Sequence, residues 1–330
     1  FDCLEKKDVV TYNVMIAGYA QFGLGNEAFK LLHRMHDDRM KPDRVTFLSL
    51  LKACVGLSSL TLGKRVHVHI ILNGYGTDIK IGNTVIDMYA KCGSMVHAQQ
   101  LFDQLPTKDA ITWTAMVAGY VQHRQFNEAF NLFWAMQNEL IEPTEATYVS
   151  ILKGCGEIGS LEQGHQIHAL ILRSGFQTTI PIESTLIDMY CKCGSVRRAR
   201  EVFDQMRKHD VISWTAMIIG YAQHGHGKEA LIITKEMLAK GVIPDHITFM
   251  GILSACNHMG LVEDALSYFH SMSEDYGIMP GAEHYGCLID LLGRAGHLDK
   301  VDNLMKKMPR QSITTRGMRG KKAKPNLCHE

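Results

Sequence analysis

Three stretches of the chain align without gaps at a fixed spacing. They read VVTYNVMIAGYAQFG from Val9, AITWTAMVAGYVQHR from Ala110 and VISWTAMIIGYAQHG from Val211, each 101 residues after the last. VTFLSLLKACVGLSSL from Val45, ATYVSILKGCGEIGSL from Ala146 and ITFMGILSACNHMGLV from Ile247 repeat that offset. NTVIDMYAKCGS from Asn83, STLIDMYCKCGS from Ser184 and GCLIDLLGRAGH from Gly286 follow at 101 and 102. A period of this kind constrains folding more than composition does, because each unit can bury its apolar face only against its neighbours. Cut at matching positions, the chain gives units 9–43, 44–78, 79–109, 110–144, 145–179, 180–210, 211–245, 246–281 and 282–312. Residues 1–8 read as the tail of a preceding repeat and 313–330 as a basic, disordered tail.

Within a unit the pattern is that of two helices. Tyr12, Met15, Ile16, Tyr19 and Ala20 recur at helical spacing, and Gly23 and Gly25 punctuate. Asn26 is the expected N-cap of a second amphipathic stretch carrying Ala28, Leu31, Leu32 and Met35. Pro42, Pro143 and Pro244 close equivalent units. The small residues Ala17, Gly18, Ala118, Gly119 and Gly220 are expected to let helices approach closely. The fold expected is all-α: a superhelical α-solenoid of tandem helix-turn-helix repeats.

Composition removes several function classes. No stretch approaches the roughly 20 apolar residues of a membrane span, and no signal-peptide pattern follows Phe1, so the chain reads as an internal piece of a longer protein. Nine cysteines in a chain this long read as reduced thiols. Cys191 and Cys193 fall short of a zinc site, which needs two such groups. Cys54, Cys155 and Cys256 read as small core residues, and His67, His69, His165 and His168 as structural. Neither the H-x-E and P-C-x-x-C pattern of zinc deaminases nor a phosphate-binding loop occurs. The expectation is no enzyme, no metal and no cofactor. Net charge is +1, and the basic residues of the last 21 positions (Arg310 to Lys324) leave the array itself slightly acidic, which argues against a generic electrostatic binder.

The quoted segments, together with GKRVHVHIILNGY from Gly63, GHQIHALILRSGF from Gly164 and EHYGCLIDLLGRAG near the end, resemble the pentatricopeptide repeat (PPR) family. The order of lengths 35, 35 and 31 is similar to its plant subclass of P, L and S motifs, here without a deaminase-like C-terminal domain. The resemblance covers residues 9 to about 309. It implies binding of single-stranded RNA in a mitochondrion or chloroplast, with a deaminase or other editing-complex proteins as possible partners. C-to-U editing with catalysis supplied elsewhere is the leading role implied. Transcript stability, splicing or translation is the alternative, and a protein-binding helical scaffold is the reading outside RNA.

By the same resemblance, RNA bases are read by pairs: Asn13 with Asp43 and Asn83 with Asp109 for uracil, Ser184 with Asp210 and Thr215 with Asp245 for guanine, and Thr114 with Thr144 as a soft purine letter. Val10, Ile111, Pro181 and Ile212 pack on base faces, and Lys80, in the same place, contacts phosphate. Leu48, Val149, Met250 and Gly286 hold the strand without reading it, giving U-x-U-purine-x-G-G-x-x. Read from the residues alone, the short polar side chains suit helix starts, and Asp43, Asp109, Asp210 and Asp245 could equally cap the next helix. Tyr12, Trp113 and Trp214, beside the readers, are expected to pack between helices.

Overall fold

A computed structural model describes residues 1, 7–176 and 179–309. The proposed tail at 313–330 and most of 1–8 lie outside them. Among the described residues eighteen helices follow one another in hairpins. The first helices are α1 (Val9–Gln21), α3 (Arg44–Gly56), α5 (Ile79–Lys91), α7 (Ala110–Gln122), α9 (Glu145–Ile158), α11 (Ile180–Lys192), α13 (Val211–Gln223), α15 (His246–Met259) and α17 (Ala282–Arg294). The second helices are α2 (Gly25–Asp37), α4 (Leu60–Leu72), α6 (Met95–Gln104), α8 (Phe126–Asn138), α10 (Leu161–Arg173), α12 (Val196–Gln205), α14 (Gly227–Ala239), α16 (Val262–Glu274) and α18 (Leu298–Lys307). No strand occurs among the described residues, so the chain is all-α, built of tandem helix-turn-helix repeats. The units of 31 residues are short mainly because α6, α12 and α18 have 10 residues where the other second helices have 13; a loop shorter by one residue accounts for the rest of the difference from 35.

The chain divides into two compact units, Phe1–Met217 and Ile218–Glu330. In the first, α1, α3, α5, α7 and α9 each pack on their own second helix and on the next first helix, as α1 does on α2 and α3, and α7 on α8 and α9. The buried faces are those the 3.6-residue period selects: Phe47, Leu50, Leu51 and Cys54 of α3 are at most 1% exposed. The Phe and Leu side chains each contribute about 1.5–3 kcal/mol by leaving water. In the second unit α15 packs on α14, α16 and α17, and Ala222, Ala230 and Ala255 form a close-packed cluster.

Two expectations are corrected. Asn26 lies inside α2, whose N-cap is Leu24 with no side-chain cap bond. The reason is the preceding turn. Gly23, at φ +74°, lets the Leu24 N–H reach Tyr19 O and the Gly23 N–H reach Ala20 O, so the end of α1 launches α2 directly. Gly18 is no close-approach site: a Cβ there would meet nothing within 4 Å. Gly119, in the same register 101 residues on, does serve one, since a Cβ would lie 2.9 Å from Ala90 Cβ.

Candidate nucleic-acid interface

Asp8, Asp43, Asp109, Thr144 and Asp245 are each the N-cap of a first helix and accept the backbone N–H three residues on. Asp210 accepts the Ser213 N–H in the same way, at 2.8 Å. Asp43, Asp109, Thr144 and Asp245 close full capping boxes, their third-position threonine hydroxyl accepting the cap residue's own N–H. The capping role that the sequence left open is therefore real, and it coexists with a second one. Asn13 Nδ2 donates to Asp43 Oδ1 and Oδ2 at 2.9 and 3.0 Å, and Asn83 Nδ2 to Asp109 Oδ1 at 3.0 Å. Each pair joins the fifth residue of one first helix to the cap of the next.

These amides are buried, Asn13 and Asn83 at 6% exposure. Burial by itself would raise the Asp43 and Asp109 carboxyls. The Thr46 and Thr112 N–H groups, the Asn13 and Asn83 amides and the threonine hydroxyls outweigh it and hold both below the usual carboxylate range. Both carboxylates are therefore ionised acceptors. The Asn atom facing each must be its NH2, which settles which way round the amide sits.

The other expected pairs differ. Thr114 Oγ1 lies 2.6 Å from Ala110 O, 2.6 Å from Thr147 Oγ1 and 3.2 Å from Thr144 Oγ1. A carbonyl only accepts, so the Thr114 proton goes to Ala110 O and no donor remains for a base. Ser184, 3% exposed, donates to Asp210 Oδ1 at 3.4 Å and keeps its lone pairs. Thr215 is buried on α13 and Asp245 caps α15.

One helical turn before these readers, Val10, Ile111 and Ile212 are 66%, 61% and 61% exposed, and Pro181 and Lys80 are exposed as well. Positions three apart share a helix face, so an exposed side chain, apolar at all but Lys80, stands beside each expected reader. Leu48, Val149 and Met250, the non-reading residues, are half-buried. Tyr12, Trp113 and Trp214 are buried, Trp113 against Phe102 and Trp214 against Phe203 at ring-centroid distances of 5.0 and 4.8 Å. His67 and His168 bond the Tyr89 and Tyr190 hydroxyls, and burial holds their protonation down. Among the described residues no group of three or more His, Cys, Asp or Glu could hold a metal ion. Nor, among the described residues, is any helix long and apolar enough to cross a membrane.

The sequence reading missed the threonines at the third position of the next helix. Thr46 Oγ1 donates to Asn13 Oδ1 at 2.5 Å and Thr112 Oγ1 to Asn83 Oδ1 at 2.6 Å. Their signal was in plain view, in the D-x-x-T strings that begin at Asp43, Asp109 and Asp245.

The sequence matches the PPR repeat family at residues 7–56, 108–157 and 209–258, and the PPR repeat at 83–109, 184–207, 247–276 and 283–313, together more than half the chain. The chain belongs to the pentatricopeptide repeat family. A putative pentatricopeptide repeat-containing protein of Arabidopsis thaliana is 41% identical over 308 residues, 93% of this chain and 43% of that protein. The chloroplastic pentatricopeptide repeat-containing protein CRR2 of Arabidopsis thaliana is 38% identical, over 93% of this chain and 48% of that protein. The chain thus spans less than half the length of these relatives. Among solved structures, the maize pentatricopeptide repeat protein PPR10 in complex with an 18-nt psaJ RNA element matches with a TM-score of 0.75. That match covers 92% of this chain and 45% of that one at 20% identity, a likeness of fold.

Proposed function

We propose that this PPR array is the sequence-reading part of an organellar protein that binds single-stranded RNA, with no catalytic role of its own. The observation that carries the reading is the Asn–Asp pair recurring in one register beside an exposed Val10 or Lys80. The two oxygens of one carboxylate subtend far less than the angle between an amide's N–H bonds, so a single Asn13 N–H serves both. One N–H and one carbonyl lone pair remain on Asn13, which suits uracil, whose N3–H is flanked by carbonyl acceptors. Ser184 with Asp210 offers acceptors to the two donors of a guanine edge. Thr114, its proton committed to Ala110 O, is the softest letter of U-x-U-purine-x-G-G-x-x. Val10, Ile111, Pro181 and Ile212 supply apolar surface for base faces.

Relatives named as chloroplastic or mitochondrial support an organelle as the setting. The 35, 35, 31 order of the units supports the P-L-S subclass, and with it selection of cytidines for editing by a deaminase carried elsewhere. The test is an array of synthetic single-stranded RNAs varied one base at a time. Asn13→Thr should move the preferred base facing the first unit from U to G, with a change in discrimination of about 1–3 kcal/mol. An array showing no preference for the expected bases sinks the reading.

A further inference from the structure

The two uracil-type pairs share a third member. At Asn13 the amide lies between Asp43, which takes Nδ2 at 2.9 and 3.0 Å, and Thr46, whose hydroxyl gives its proton to Oδ1 at 2.5 Å. At Asn83 the same arrangement recurs 2.6 Å from Thr112 and 3.0 Å from Asp109. The threonine hydroxyl is itself held, because it accepts the N–H of Asp43 at 3.1 Å or of Asp109 at 3.2 Å. One of its lone pairs faces the cap's backbone, and its one proton lies between the cap's Oδ1, 3.0 Å away at Thr46 and 2.9 Å at Thr112, and the nearer amide oxygen. Thr46 and Thr112 are 0% exposed, so they do not touch a base.

An amide held only at its nitrogen can rock about its last side-chain bond, which is broad and soft. Held at both ends it cannot. Each end is held by the capping box of the following helix, which is fixed by backbone hydrogen bonds. At Ser184 the arrangement differs: Ser213 turns its proton to Asp210 O at 2.9 Å rather than to Ser184.

We infer that Thr46 and Thr112 are positioning residues for base selection, each clamping the amide of the preceding unit's Asn so that one N–H and one lone pair stand in fixed places for a uracil edge. This rests on the reader assignment proposed above and adds that the identity of a base is set by three side chains, two of them in the capping box of the next hairpin. A unit's preference is therefore not complete until its successor has folded.

The experiment uses the full chain and 14-nucleotide synthetic RNAs carrying U, C, A or G opposite the first unit. Thr46→Val keeps the shape and removes the hydroxyl, and Thr46→Ser restores it. The expected result is that Thr46→Val lowers the U-over-C affinity ratio at that nucleotide roughly 5- to 10-fold, the loss of one hydrogen bond. Thr46→Ser should restore the ratio, and preferences at other nucleotides should stay unchanged. Thr112→Val should do the same at its own nucleotide, a second route if Thr46→Val folds poorly. An unchanged ratio in a folded Thr46→Val or Thr112→Val chain, with U still preferred by the unsubstituted protein, overturns this inference alone. Equal weakening at every base and position overturns it too, by showing a merely structural threonine. No U preference in the unsubstituted protein overturns the reader assignment, and this inference with it.

Discussion

Asp43 serves two neighbours at once, as the N-cap of α3 and as the anchor of the Asn13 amide on α1, and Asp109 does the same for α7 and Asn83. Such a residue resists substitution for two unrelated reasons, helix stability and base selection. Both need the carboxylate ionised. The bonds from Thr46, Asn13 and Thr112 hold these carboxyls below their ordinary value despite burial, so the stability they add is fully present above the unfolded value of about 3.9. It is lost as pH falls below that value through the lower folded one. Thermal melts from pH 7 to pH 3 should show midpoints falling below about pH 4, and the fall should be shallower in Asp43→Asn with Asp109→Asn. A double variant as acid-sensitive as the original would show that other carboxylates govern the acid limb.

Between helices, the sign of a substitution depends on what stands in front of it. Gly18 and Gly119 occupy one register on α1 and α7, yet a Cβ on Gly18 meets open space and one on Gly119 meets Ala90 Cβ at 2.9 Å and Met95 Sδ at 3.1 Å. The methionine can swing away, whereas the alanine Cβ moves only with the α5 backbone. Gly18→Ala should stabilise the chain by about 0.5–1 kcal/mol through helix propensity. Gly119→Ala should destabilise it by about 1–3 kcal/mol through overpacking. Urea titrations of the two variants check both signs, and a stabilised Gly119→Ala would show that α5 and α7 have room to part. The same scale explains why Asn26 caps nothing: the left-handed turn at Gly23 passes the chain from α1 to α2 without a spare residue in which a side-chain cap could sit.

For the whole chain, charge and contact chemistry point the same way. Net charge is +1, and on the first helices of the first unit the cations divide into two sets. Arg44, Lys91 and Lys192 are held by Asp78, Asp87 and Asp188 at 3.2, 2.8 and 2.9 Å, while Lys52, Lys80 and Lys153 are exposed and have no ion pair among the described residues. With about three lysines to neutralise phosphates, the logarithm of affinity should fall with the logarithm of salt at a slope near −2. Fluorescence anisotropy with one RNA from 50 to 300 mM salt measures it. A slope of −5 or steeper would show that backbone charge, rather than base contact, dominates binding.

The sequence alone sufficed for the helical period, the hairpins and the all-α class, because period and apolar spacing are properties of neighbours along the chain. It also placed Asn13, Asp43, Asn83 and Asp109 in a common register. Only the tertiary structure brought them into contact, since residues about 26 to 30 positions apart meet only when one hairpin lies on the next. It decided, too, that Thr46 and Thr112 belong with them, that Thr114 has spent its only proton, and that Gly18 and Gly119 differ. Each of these depends on which atoms share a few ångströms of space, and spacing along a chain carries no record of that.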